Sequence, residues 1–263
     1  MKISLIGNSH LGPIAAAASG DTRHETGHYI SRTYGKLPLK IISKNSAVVV
    51  PEIRIEDQPH VQSVLNIDDW DAFVVVGCGY SVVRLVENWS EYQPDALPAE
   101  IGQYLVPEDL YPGYENEVMD TTQAVRIAVQ LQSVTDKPIY LVPAPLPAEW
   151  VLRREGGRFE SFHPFSDPQC RDYLLGRVSD QLRRLEKRGI RPIVQPGSTI
   201  DSQIWTKTEF CLGQPNDTSE KSFYSRGDFY HMNKDFGSVA WDHIQAVVTQ
   251  DFELAVDRKS EDV

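Results

Sequence analysis

Apolar positions along the chain fall into two patterns, short continuous runs of strand length and longer stretches with helical spacing. Ile3 to Ile6 is the first run, ended by Gly7. Residues 10–19 then read as a helix with Gly20 as its stop. Pro13 fits there because the first turn of a helix has no internal use for its N–H. Between residues 27 and 56, β-like pieces occur at His28 to Ser31, Leu39 to Ile42 and Ala47 to Val50, and at the alternating Ile53 and Ile55. Ala72 to Val76 is the clearest strand, an unbroken apolar run that ends in Gly77-Cys78-Gly79. Such runs suit a parallel strand covered on both faces.

Residues 80–88 predict a helix, and a loop rich in Pro, Tyr and acidic residues covers 91–117. Helical spacing returns over 120–134 through Ala124, Val125, Ile127, Ala128 and Leu131. Ile139 to Val142 is another buried strand, closed by the prolines 143, 145 and 147. Leu174, Leu175, Val178, Leu182 and Leu185 mark an amphipathic helix, followed by a strand from Pro192 to Val194. A last helix runs from Phe236 to Val248, with a frayed charged tail after Val256. Strands alternating with helices predict one α/β domain over 1–263, a mainly parallel sheet with helices on both faces. Loop insertions fall near 91–117 and 143–166.

Composition narrows the partners. Charged residues make up 24% and hydrophobic residues 41%, enough for a sizeable core, and the net charge is −11 with no long basic run. Phosphate binding needs a clustered positive face, so nucleic acid is not an expected partner. No run of 18 apolar residues predicts a membrane span. The chain enters its first strand at once, and its three cysteines (Cys78, Cys170, Cys211) are odd in number and far apart. Both features predict a cytoplasmic protein with reduced thiols. The histidines form no metal-ligand spacing with cysteine, and no phosphate loop or dinucleotide motif occurs, so neither metal nor cofactor is expected.

In open parallel sheets ligands bind at the carboxyl ends of strands. Gly7-Asn8-Ser9-His10, Thr33-Tyr34-Gly35 and Gly77-Cys78-Gly79-Tyr80 are therefore the informative strand ends. A serine between a strand and a helix holds its hydroxyl at the sheet edge, with its N–H at a helix N-terminus, where negative charge is favoured. The plainer alternative makes Ser9 only an N-cap. In Asp228-Phe229-Tyr230-His231, an acid three residues before a histidine can take the Nδ1 proton and leave Nε2 as a base. Alone, that spacing also suits an ordinary surface pair.

Taken together these residues resemble the SGNH/GDSL hydrolase superfamily, and more closely a bacterial SGNH-like group. The resemblance rests on Ile6 to Leu11, Asp71 to Gly79 and Asp228 to Asn233, in order along the chain. It implies a three-layer α/β/α sandwich of the flavodoxin-like kind. It implies Ser9 as nucleophile, His231 as base and Asp228 as the orienting acid. The oxyanion would be held by N–H groups of Ser9 and Gly35 and a group near Gly79; Gly20 and Gly27 are rivals for the Gly35 role. Two positions depart from the family pattern. Asn8 stands where Asp is usual, and Gly79 stands where an Asn side chain usually donates to the oxyanion. Loss of one such donor costs ~10²–10³ in rate, so Asn8, His10 and Tyr80 are candidates to bind substrate or supply that donor. The implied activity is a serine esterase or O-acyltransferase acting on an O-acylated carbohydrate or other small ester. A non-catalytic carbohydrate-binding protein on the same fold is the rival. Cys78 is the alternative nucleophile, although buried cysteines mostly pack rather than react. Arg153, Arg154 and Arg158 offer cations for an acidic sugar or phosphate, and Trp89, Trp150 and Trp205 offer faces for a sugar ring; solvated charge and ordinary packing are the plainer readings.

Overall fold

The computed structural model describes residues 1–30, 39–49, 64–98, 102, 104–217 and 219–261. In chain order the first elements are β1 (Lys2–Gly7), α1 (Leu11–Ser19), β2 (Glu25–Ile30), β3 (Leu39–Ser43), β4 (Ser46–Val49) and β5 (Val64–Asn66). They are followed by β6 (Ala72–Val76), α2 (Val82–Trp89), β7 (Tyr92–Pro94), β8 (Tyr104–Val106) and α3 (Tyr111–Asp120). The remaining helices and strands are α4 (Gln123–Gln132), β9 (Ile139–Val142), α5 (Pro168–Lys187), β10 (Ile190–Pro192), the short antiparallel pair β11 (Ile200–Asp201) and β12 (Trp205–Thr206), and α6 (Lys234–Glu261). Five strands pair in parallel in the order β10-β9-β6-β1-β2. The α/β class and the parallel central sheet expected from the sequence are both present. β6 and β9 are buried at every position and β1 at all but its first, as their unbroken apolar runs require.

From β1 the chain first adds β2 on one side, then crosses to place β6 on the other. The crossing makes a topological switch point at the carboxyl ends of β1 and β6. The register pairs Gly7 with Val76 and Val76 with Val142, so three strands end level there. Sequence order thus sets the Ser9 turn beside the Gly77-Cys78-Gly79 turn before any side chain is considered.

Several boundaries differ from the expected ones. The stretch 91–117 is not a plain loop: it holds the parallel pair β7–β8 and most of α3. Pro112 and Gly113 disguise that helix, yet Pro sits in its first turn, where it is tolerated. A fully buried Glu115 docks α3 on α5, accepting from Arg177 Nε at 3.1 Å and Gln181 Nε2 at 2.7 Å. The stretch 143–166 contains two 3₁₀ segments, Glu149–Arg153 and Gly157–Ser166. β10 begins at Ile190, two residues before the expected Pro192, because Gly189 turns the chain directly from α5 with φ +74°. α6 continues to Glu261, so the tail is helical from Asp257 to Glu261 rather than frayed. Ser31, Val50, Ile53 and Ile55 lie outside the described residues.

The helices α1 and α6 pack against each other, and this contact carries the ends of the chain together. Gly237, in the first turn of α6, meets the Pro13 backbone so closely that an added Cβ would lie 2.2 Å from Pro13 O. At the other end of the pair, Trp241 Nε1 donates to Asp21 Oδ2 at 2.8 Å, and Arg23 bridges Asp21 and Asp242. Gly237→Ala should therefore wedge the pair apart and cost ~1–3 kcal/mol, the usual range for overpacking. Gly176 lies in α5 with nothing within 4 Å of a built Cβ. There the same change should stabilise by ~0.5–1 kcal/mol through backbone entropy and helix propensity. Urea unfolding of both variants checks the pair; equal effects would refute the close-approach argument.

Candidate active site

β1 delivers Ser9 to the sheet edge two residues after its last strand residue. The turn that follows is closed by Leu11 N donating to Asn8 O at 2.9 Å and His10 N donating to Asn8 Oδ1 at 3.2 Å. Ser9 is exposed and does not cap α1; the N-cap position is His10, which makes no side-chain capping bond. The Ser9 hydroxyl faces another group instead. His231 Nε2 lies 2.8 Å from Ser9 Oγ, although 222 positions separate the two residues. On the far side of the ring, His231 Nδ1 lies 2.7 Å from Asp228 Oδ2. Asp228 Oδ1 accepts from the His231 and Tyr230 N–H groups at 3.1 and 3.4 Å, which fixes the carboxylate against its own turn.

The loop carrying His231 is held on both sides. Leu212 N donates to His231 O at 2.9 Å, Asn233 N to Phe210 O at 2.9 Å and Asn233 Nδ2 to Glu209 O at 2.6 Å. Ala148 N donates to Phe229 O at 2.7 Å, and the fully buried Phe229 ring packs edge-on against Phe159 and Phe162. Asn233 then caps α6, accepting from Asp235 and Phe236 N–H. His231 is thus anchored to the helix that packs on α1.

Burial works to raise the Asp228 carboxyl, but the hydrogen bonds and charge of His231, with two backbone N–H donors, outweigh it and hold the carboxyl below its ordinary value. Asp228 is therefore ionised at neutral pH and orients the imidazole with its Nδ1 proton toward the carboxylate. Nε2 is left to accept from Ser9. Beside this relay, Gly77, Cys78 and Gly79 all adopt positive φ, at +68°, +48° and +82°. A Cβ on Gly77 would meet Asn8 Oδ1 at 2.7 Å and His10 at 3.0 Å, so only glycine lets this turn lie against the Ser9 turn. Among the described residues the N–H groups of Ser9 and Gly79 make no hydrogen bond. Unpaired N–H groups at these strand ends are of the kind that can stabilise a developing negative charge.

Compared with family models, with curated proteins and with solved structures, the chain matches none. Its chemistry is read from its own geometry.

Ser9, Asp228 and His231 come together in one relay. Gly79 borders the same edge, and Gly35 lies outside the described residues. Gly20 is not a substitute for it, because its N–H is spent on Ala17 O at the end of α1. Gly27 is no better placed, since it pairs with Ser4 within the sheet, away from the strand ends. Asn8 supports the turn through Oδ1. Tyr80, expected to touch substrate or supply the missing donor, instead has a buried side chain, and the charges that act on its hydroxyl belong to Arg184, Glu115, Asp120 and Arg188, which tie α3 to α5. Cys78 is buried, and desolvation pushes its thiol up to about 12, which leaves it no useful thiolate. Trp89, Trp150 and Trp205 are fully buried packing residues, and Arg153 pairs with Glu149. Among the described residues, no cluster of three or more His, Cys, Asp or Glu side chains is arranged to hold a metal ion.

His10 differs from its expected role most. Its ring stacks on His231, with centroids 5.1 Å apart and planes 22° apart, a contact that no sequence spacing signals. Burial first, and then the neighbouring His231, lower its pKa to about 3. The folded value lies below the ordinary 6.5, so the unfolded chain binds the extra proton and stability falls as pH drops from about 6.5 toward 3. His10→Phe should remove that part of the acid sensitivity. Urea midpoints at pH 7 and pH 5 should move less in the variant than in the wild type; equal movement would contradict a neutral His10.

Proposed function

We propose that this protein is a serine hydrolase of the SGNH type, an esterase or the related O-acyltransferase. The observation that carries the reading is the Ser9–His231–Asp228 relay, with contacts of 2.8 and 2.7 Å at the switch point of a parallel sheet. In this mechanism His231 Nε2 takes the proton from Ser9 Oγ as the oxygen attacks an ester carbonyl. The N–H groups of Ser9 and Gly79 stabilise the oxyanion, with a further donor from the segment after β2, where Gly35 lies. His231 then returns its proton to the leaving alcohol, and the acyl-enzyme passes its acyl group to water or to an acceptor hydroxyl. The strand order and the α1–α6 pair support the three-layer sandwich that accompanies this reading. The substrate class is a small ester, and by analogy with the SGNH family an O-acylated carbohydrate. No helix among the described residues is long and apolar enough to cross a membrane. The three free, buried cysteines fit a reducing, cytoplasmic setting.

Short p-nitrophenyl esters and acetylated sugars test the activity. Ser9→Ala should lower turnover at least about 10³-fold, with stability within about 1 kcal/mol because the exposed hydroxyl packs against little. Full activity in Ser9→Ala, or no hydrolysis of any ester by the intact protein, would favour the carbohydrate-binding rival.

Gly79 gives a second test. A Cβ built there meets nothing within 4 Å, so a larger side chain has room, and φ +82° is a region that Asn tolerates better than most residues. Gly79→Asn should therefore raise kcat on a simple ester by restoring an amide donor, severalfold within the ~10²–10³ range such donors supply. Unchanged kcat with an intact fold would remove Gly79 from the oxyanion site.

A further inference from the structure

We propose that His10 is a positioning residue: its ring, stacked on His231, sets the plane in which Nε2 faces Ser9 Oγ. This inference rests on the relay read above but concerns a residue outside it. Four observations point the same way. The two rings are near parallel at 5.1 Å, and the His10 ring also meets Tyr230 at 5.6 Å. The backbone of His10 is fixed by Asn8 Oδ1, in the same turn that carries the nucleophile. Gly77 lacks a side chain where one would press on His10 at 3.0 Å. Finally, His10 Nδ1 is sealed from solvent with no hydrogen-bond partner, so the ring is held by its faces rather than by its nitrogens.

A relay of this kind fails by small rotations. The hydrogen bond from Nδ1 to Asp228 fixes one axis of the imidazole but leaves a swing about that axis. A flat neighbour on the ring face removes the swing. The neighbour must also carry no charge, since a cation there would oppose the imidazolium formed when Ser9 is deprotonated. Burial meets that need. His10 also borders a crevice of about 20 Å³ lined by Ile14, Val76, Phe236 and Ile244, with room for about one water and none for a substrate group. Among the described residues, the titratable groups around the stacked pair are Asp228 on the His231 loop, Tyr230 beside it, and Cys211 and Glu209 on the segment bonded to that loop. His243 on α6 joins them in the crevice wall. Among the described residues, only Asp228 contacts the His231 ring as a charge partner.

The test compares His10→Ala with His10→Phe in the full chain. Phe keeps a flat, uncharged ring without the nitrogens; Ala removes the ring. Steady-state kinetics on p-nitrophenyl acetate should show kcat down about tenfold or more in His10→Ala, with KM within twofold. His10→Phe should stay within about threefold of wild type. NMR of the His231 ring reads the same contact without turnover. The resonance of the Nδ1 proton shared with Asp228 should broaden by exchange with water in His10→Ala, where the uncovered ring is free to swing, and persist in His10→Phe. If Phe is as impaired as Ala, the His10 nitrogens act directly and the positioning role is wrong. If Ala leaves both kcat and the His231 proton resonance unchanged, the stack does nothing and the proposal falls. If the resonance changes as described while no variant, nor the wild type, hydrolyses any ester, the stacking holds and the hydrolase reading alone is overturned.

Discussion

The contact between Pro13 and Gly237 is the constraint on which the site depends. Ser9 belongs to the turn that starts α1, and His231 ends three residues before α6 begins. Each side chain is shaped by its own turn, and each turn is carried by the helix it leads into. Where α1 and α6 cross, a backbone carbonyl lies where a side chain would otherwise stand. The Trp241–Asp21 hydrogen bond and the Arg23 bridges close the pair at its other end. Close helix approach thus converts the packing of the chain's two ends into a 2.8 Å contact between a hydroxyl and an imidazole.

The electrostatics of the site follow from how each group is covered. Asp228 is partly buried, which alone would favour its neutral form, yet His231 and two backbone N–H groups hold it ionised. His10, one ring away, is kept neutral by burial. Cys78 is kept a thiol by the same cause. One carboxylate therefore orients the His231 imidazole, and among the described residues no second charge competes with it on the ring face. Elsewhere the buried Glu115–Arg177 pair fastens α3 to α5 and keeps the charges near Tyr80 in their own network. Burial of charge serves docking there and chemistry at the strand ends.

Much of this was legible in the sequence, for identifiable reasons. β1, β6 and β9 are short apolar runs ended by Gly or Pro, and buried parallel strands need that composition. Ser9 stood out because it follows a strand end, where ligands bind in open sheets, and the Asp228–His231 pair because an acid three residues before a histidine can fix its tautomer. Other features were hidden. α3 carries Pro112 and Gly113 in its first turn and buries a glutamate, so its pattern reads as a loop until Arg177 and Gln181 supply the partners. The stack of His10 on His231 joins residues 221 positions apart and leaves no periodic trace. Tyr80, adjacent in sequence to Gly79, turns the other way because the positive φ angles at 77–79 reverse the chain just before it. The helical ending of α6 was masked by charge, which read as solvated tail.

The most direct test of the account is to catch the covalent intermediate. The wild-type protein is mixed with p-nitrophenyl acetate, quenched in acid within the first turnover, digested and read by mass spectrometry. The account predicts an acetyl group on the peptide that carries Ser9, and none there when Asp228 is replaced by Asn, because the imidazole loses the partner that fixes its tautomer. A burst of p-nitrophenol with the acetyl group on Cys78 or a lysine, and an unlabelled Ser9, would contradict it.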